Sequence, residues 1–144
     1  MSLPDLRQAS LLGEYSDRLE YQIGGTLVWV LFGGPEQQVA ALEATCQQFP
    51  SIWTAIPAVI SEAERASRVE LPEFWQMHEA AGTSSEVLSV WGIWIEPVSG
   101  TATYEVSTNH AFDPPPQAEL PSFPAENSVM IERNKDGVIS TEAR

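Results

Sequence analysis

The stretch between residues 35 and 68 carries an apolar stripe at helical spacing, and this stripe constrains the fold more than any other feature. Its members recur every three or four positions: Val39, Leu42, Cys46, Phe49, Trp53, Ile56, Ile60 and Ala63. That repeat follows one side of a helix, and the mainly polar residues between suit a solvent-facing side. Pro50 and Pro57 each remove a backbone donor from the run. We therefore predict two helices or one kinked helix, over residues 35–49 and 52–68, on one surface.

Alternating apolar and polar residues predict strands on both sides of this helical run. Leu19, Tyr21 and Ile23 alternate with polar residues, and a glycine pair at 24–25 is typical of a hairpin loop. Residues 26–32 form the returning strand, which is apolar on both faces and is expected to be central or covered on both sides. The remaining expected elements are a brief helix over 72–81 and strands over 86–96, 101–107, 128–133 and 138–141.

These elements predict an α+β fold. Strands joined by short turns are antiparallel, and the helical stripe must be buried against one face of the sheet. We expect a two-layer domain over residues 1–144, in which a mainly antiparallel sheet of about six strands (ββ-αα-ββββ) packs on a kinked helix pair. Residues 1–18 are expected to form a short helix or an N-terminal arm. Residues 108–127 are expected to be a proline-rich loop that packs across the domain.

The charge distribution favours some partners and excludes others. The chain has a net charge of −13, and residues 69–132 include ten acidic residues and no lysine or arginine. Such a surface repels nucleic acid and anionic membranes and attracts basic proteins. Improved solubility is the alternative explanation of the charge. The single cysteine and the absence of an apolar run that could span a membrane or begin a signal peptide predict a bacterial cytoplasmic protein.

No motif in the chain predicts catalysis or cofactor binding. His78 and His110 have no histidine or cysteine partner at metal-ligand spacing. The glycine pair at 33–34 opens a helix, but Glu36 in its first turn would repel an anion, so a helix-capping role is favoured. We predict no catalytic, cofactor or metal site.

The five tryptophans suggest a binding surface on the sheet face without helices. If Trp91, Ile93 and Ile95 face the helices, Trp94 and Val90 point the other way. That face must be covered by the proline-rich loop, by a second subunit or by a partner. Aromatic side chains among carboxylates suit a basic protein. The candidate partner-binding residues are Val90, Trp94, Glu96, Tyr104, Glu105 and Glu132.

The layout of the chain also resembles a known group of proteins. The hairpin over 19–32, the long helical run, the strand Val-Trp-Gly-Ile-Trp-Ile at 90–95 and the closing hairpin turn at 134–137 resemble small bacterial domains of unknown function, some of them grouped with toxin-immunity proteins. We therefore predict a non-enzymatic acidic protein-binding domain, an immunity-like inhibitor of a basic protein. One alternative is a small-molecule-binding domain or small enzyme with a pocket near Trp94, Tyr104 and His110. Another is a structural homodimer formed through the open sheet face.

Overall fold

The computed structural model describes residues 4–70, 72–82, 88–108 and 129–141. The strands are β1 (Ser10–Glu14), β2 (Arg18–Ile23), β3 (Thr26–Leu31), β4 (Leu88–Glu96), β5 (Thr101–Thr108), β6 (Val129–Arg133) and β7 (Ile139–Thr141). The helices are α1 (Gln38–Thr54), α2 (Ile56–Glu70) and α3 (Pro72–Ala81). Nearly all of the expected proline-rich loop lies outside the described residues.

The described strands form one sheet whose spatial order matches their order in the chain, from β1 to β7. Strands β3 and β4 are parallel, because the three helices carry the chain back between them, and every other neighbouring pair is antiparallel. This arrangement confirms the expected α+β fold. The sheet has seven strands where about six were predicted.

The additional strand is β1, in a region expected to be a short helix or an arm. Its leucines, Leu11 and Leu12, are 48% and 49% exposed, so the segment lacks the alternating burial that marks a strand in a sequence. Backbone pairing with β2 defines it instead. Before β1, a single 3₁₀ turn over Leu6–Gln8 buries Leu6 in the core.

The break in the helical run lies at Ala55, just before Pro57, and not near Pro50 as predicted. Pro57 is the second residue of α2, where a backbone N–H has no helical partner, so proline costs little there. Pro50 lies inside α1 and costs one helical hydrogen bond. Its neighbours Phe49 and Ile52 are each 1% exposed, and their burial holds the helix together across the proline.

The core lies between the helices and one face of the sheet. Val28, Ile93 and Tyr104 stand side by side on neighbouring strands of that face and are fully buried. The Tyr104 hydroxyl donates to the backbone carbonyl of Ile52 in α1 at 2.6 Å, which ties the first helix to the centre of the sheet. Helix α2 packs on β4 to β7, and α3 packs on α2.

A β-bulge in β4 corrects part of the predicted arrangement of faces. Val90 pairs with Val106 and Gly92 pairs with Glu105, so Trp91 is one extra residue in the register of β4. The extra residue reverses the alternation along the strand. Val90 therefore lies buried on the helix side, where we expected the opposite face, and Trp91 is 39% exposed instead of facing the helices.

Candidate functional site

The sheet face opposite the helices is the candidate site, and we call it the open face because none of the described helices packs on it. Successive side chains along a strand point to opposite faces, so the residues before and after each core residue point to this side. Its central residues are Glu20, Leu27, Trp29, Leu31, Trp94, Glu96, Thr103, Glu105, Met130 and Glu132. All of these side chains keep part of their surface accessible.

Two stacked tryptophans form the centre of the open face. Trp29 of β3 and Trp94 of β4 are paired across the parallel strands. Their ring centroids are 4.0 Å apart and their planes differ by 17°. The Trp29 indole N–H donates to Glu20 Oε1 at 2.8 Å, which fixes the ring from the neighbouring strand. The pair is therefore a pre-formed aromatic surface.

Gly92 is needed for this arrangement because the Trp29 ring lies directly against it. A Cβ atom at position 92 would lie 2.5 Å from Trp29 Cζ3, closer than two carbon atoms can approach. The absence of a side chain thus leaves the space that the indole occupies.

Carboxylates surround the tryptophan pair. Glu20 and Glu132 lie in the same cross-strand row as the tryptophans, with Thr103 between Trp94 and Glu132. Glu105 and Glu96 lie in the rows on either side. Within the described part of the chain, none of these four glutamates forms an ion pair. The face therefore presents negative charge that no described cation neutralises.

Four of the six candidate partner-binding residues lie on the open face: Trp94, Glu96, Glu105 and Glu132. The other two do not. Val90 is buried on the helix side by the bulge, and Tyr104 is fully buried against α1.

Sequence reasoning missed Trp29 and Glu20. The apolar character of both faces of β3 was the signal that could have identified Trp29.

A pocket formed jointly by Trp94 and Tyr104 is excluded, because the two side chains lie on opposite faces of the sheet. His110, the third residue of that expectation, lies outside the described residues. Three clefts are lined by described residues: one, of about 220 Å³, includes Leu31 and Glu96 at the edge of the open face, and two lie elsewhere. One, of about 270 Å³, separates the start of α1 from the β4–β5 turn and is mainly apolar. Another, of about 320 Å³, lies beside the second half of α1 and is polar.

His78 and Cys46 are the remaining candidate groups within the described residues. Among the described residues, no three His, Cys, Asp or Glu side chains cluster as metal ligands would. Burial lowers the pKa of the buried His78, and burial is also the main cause that raises the pKa of the Cys46 thiol. Both groups therefore favour their neutral forms.

Of the helices that the structure describes, none combines the length and hydropathy needed to cross a bilayer.

Comparisons of the chain with protein-family models, with curated proteins and with solved structures found no match.

Proposed function

We propose that this chain is a non-enzymatic acidic protein-binding domain that docks on a basic protein through its open face. The observation that carries the proposal is the Trp29–Trp94 stack, surrounded by four glutamates that form no ion pair with any described residue. Tryptophan is enriched among the residues that dominate binding energy. A partner's arginine or lysine side chains can contact both the indole faces and the carboxylates.

The overall charge supports the same class of partner. A net charge of −13 accelerates the encounter with a basic surface and slows the encounter with an acidic one. Complementary charges mainly raise the association rate and the specificity. The aromatic centre, once the partner buries it, slows dissociation. An inhibitor that must capture a basic protein quickly benefits from both effects, so an immunity-like role is our proposal for the biological purpose of this docking.

The test compares three forms of the protein as bait in extracts of the source cells at about 50 and 300 mM salt, a range over which screening changes strongly. The forms are wild type, an open-face variant (Trp94→Ala with Glu105→Gln and Glu132→Gln) and a control (Glu43→Gln with Glu73→Gln). The control removes two exposed carboxylates from α1 and α3. Any retained protein is then purified and its rate constants are measured by surface plasmon resonance.

We expect one basic protein that binds wild type and the control, dissociates faster from the open-face variant and associates more slowly at high salt. Equal loss in the control, or association that ignores ionic strength, contradicts the proposal. Light scattering of the purified chain over a hundred-fold concentration range tests the homodimer. Self-association that the open-face substitutions abolish would assign the face to a second copy of this chain instead.

A further inference from the structure

The polar cleft beside the second half of α1 has the chemistry of a ligand site distinct from the open face. Its volume is about 320 Å³. It is lined by Gln47, Gln48, Ser51, Gly100, Arg133 and Lys135. Arg133 pairs with Ala102 of β5, whose side chain is buried on the helix side, so the arginine lies on the same side of the sheet as α1.

No described carboxylate neutralises the two cations of this cleft. Arg18, Arg65 and Arg68 each form an ion pair with a nearby carboxylate. Among the described residues, Arg7, Arg133 and Lys135 have no carboxylate oxygen within 4.0 Å, and the last two of these cations line the same cleft. The chain has a net charge of −13, yet two cations at one cleft have no anionic partner among the described residues.

The backbone around the cleft is held firmly in place. The Asn134 side chain accepts hydrogen bonds from the backbone N–H groups of Asp136 at 2.9 Å and Val138 at 3.0 Å, which closes the β6–β7 turn. Gly100, with φ of 75°, packs against this turn, since a Cβ there would lie 2.7 Å from Lys135 Cβ. The two turns therefore fix the backbone at Lys135 before any ligand binds.

The cations are not needed to complete the end of α1. Helix ends leave carbonyl groups without helical partners, and basic side chains often bind them. Here the Ile52 carbonyl accepts from the Tyr104 hydroxyl and the Ser51 carbonyl accepts from the Ala55 N–H. The Ser51 and Ile52 carbonyls already have donors, so these two groups do not explain the positions of Arg133 and Lys135.

Gln48 supplies an acceptor that no described residue satisfies. Its Nε2 donates to the Pro97 carbonyl at 3.3 Å, which sets the orientation of the amide. Its Oε1 is fully buried and accepts no hydrogen bond from any described residue. A buried acceptor without a hydrogen bond costs free energy, and a ligand that brings a donor would remove that cost.

We propose that this cleft binds a small oxyanion, a carboxylate or a phosphate, that also carries an N–H or O–H donor. Arg133 and Lys135 bind the negative oxygens, and Gln48 Oε1 accepts the ligand's hydrogen. Ser51 also lines the cleft, and a serine hydroxyl is able to donate to such oxygens. The site is independent of the proposed partner, because it lies on the helix side of the sheet.

The first test is titration of the isotope-labelled protein with inorganic phosphate at constant ionic strength, followed by amide chemical shifts. We expect saturable shifts at Gly100 and Lys135. Replacing both cations (Arg133→Gln with Lys135→Gln) should weaken binding about ten-fold or more, since two charge-assisted contacts are lost. The control Arg18→Gln with Arg65→Gln removes the same charge elsewhere and should keep the affinity. Shifts that never saturate, or equal weakening in both variants, overturn the proposal.

The second test separates the two parts of the ligand. Sulfate has no donor at neutral pH, so it should bind several-fold more weakly than phosphate. The variant Gln48→Leu should remove that preference. Equal affinity of the wild type for both ions would overturn the role of Gln48. N-acetylglycine combines a carboxylate with an N–H donor, and its affinity relative to phosphate identifies which oxyanion class the cleft prefers.

Discussion

At the scale of single residues, Gly92 has the clearest structural requirement. A methyl group at this position would force the Trp29 ring away from Trp94 and from its hydrogen bond to Glu20. We expect Gly92→Ala to destabilise the protein by about 1–3 kcal/mol, as over-packing does. It should also reduce the far-ultraviolet circular dichroism couplet that stacked indoles produce.

Gly25→Ala is the matched control for this substitution. Nothing lies within 4 Å of a Cβ atom at position 25, so the change in stability should stay within about 0.5 kcal/mol. Urea unfolding measures both variants. An unchanged couplet in Gly92→Ala would mean that the tryptophan pair does not depend on this glycine.

Tyr104 makes the second prediction at this scale. Tyr104→Phe leaves the Ile52 carbonyl without its hydroxyl donor, which should cost about 1–3 kcal/mol. Burial also raises the pKa of Tyr104 above its ordinary value, so the unfolded chain ionises first. The associated stability is complete below about pH 10 and is lost as the pH rises above that value.

The alkaline measurement uses urea unfolding at several pH values between about 9 and 11, the range around the ordinary tyrosine pKa. Tyr104→Phe should flatten the loss of stability, leaving the parts due to Tyr21 and Cys46, whose pKa values burial also raises. Tyr15→Phe is the control, because the Tyr15 side chain is 46% exposed. An alkaline slope that is the same in all three proteins would show that Tyr104 is not its source.

At the scale of elements, the two prolines of the helical run have opposite costs. Pro50→Ala restores a backbone N–H to the interior of α1 at an exposed position, and we expect it to stabilise the protein by about 1–2 kcal/mol. Pro57→Ala changes the first turn of α2, where no helical hydrogen bond is gained, so it should stabilise less or not at all. Thermal unfolding compares the pair, and an equal gain from both substitutions would contradict this account.

The elements that the sequence predicted are those whose burial follows a regular period. The helical run, the hairpin around Gly24 and the helix that ends before Gly82 were predicted on that basis, but Val39 of the predicted stripe is 72% exposed and does not join the core. The failures have physical causes. Strand β1 has exposed leucines and so lacks the burial pattern of a strand. Helix α1 continues through Pro50 because the residues around the proline are buried. The parallel pairing of β3 with β4 depends on where the helices between them return the chain.

The candidate site was only partly predictable for a related reason. One additional residue at Trp91 reverses the alternation in β4, and no local preference marks that bulge in the sequence. The prediction for Val90 consequently failed while that for Trp94 succeeded. The stack of Trp94 on Trp29 depends on strand order, and the sequence pattern did not specify which strand lies next to β4.

At the scale of the whole molecule, the acidic open face has a cost in the free protein. Glu105 and Glu132 are diagonal neighbours on adjacent strands, because Glu132 pairs with Thr103. Like charges in that arrangement repel. Neutralising both residues (Glu105→Gln with Glu132→Gln) should therefore stabilise the free protein by about 0.2–1 kcal/mol while slowing its association with a basic partner.

Salt distinguishes this repulsion from other effects of the substitutions. The stability gain should be largest at about 10 mM salt, where screening is weak, and shrink towards about 0.5 M, where the screening length is only a few ångströms. Glu62→Gln is the opposite control, because Glu62 pairs with Arg65 and accepts a hydrogen bond from the Thr141 hydroxyl. The hydrogen bond from Arg65 is the main cause that lowers the pKa of Glu62. Neutralising Glu62 should therefore destabilise the protein. Urea unfolding across this salt range measures both variants. If the gain from Glu105→Gln with Glu132→Gln does not change with salt, charge repulsion on the open face is not what lowers the stability of the free protein.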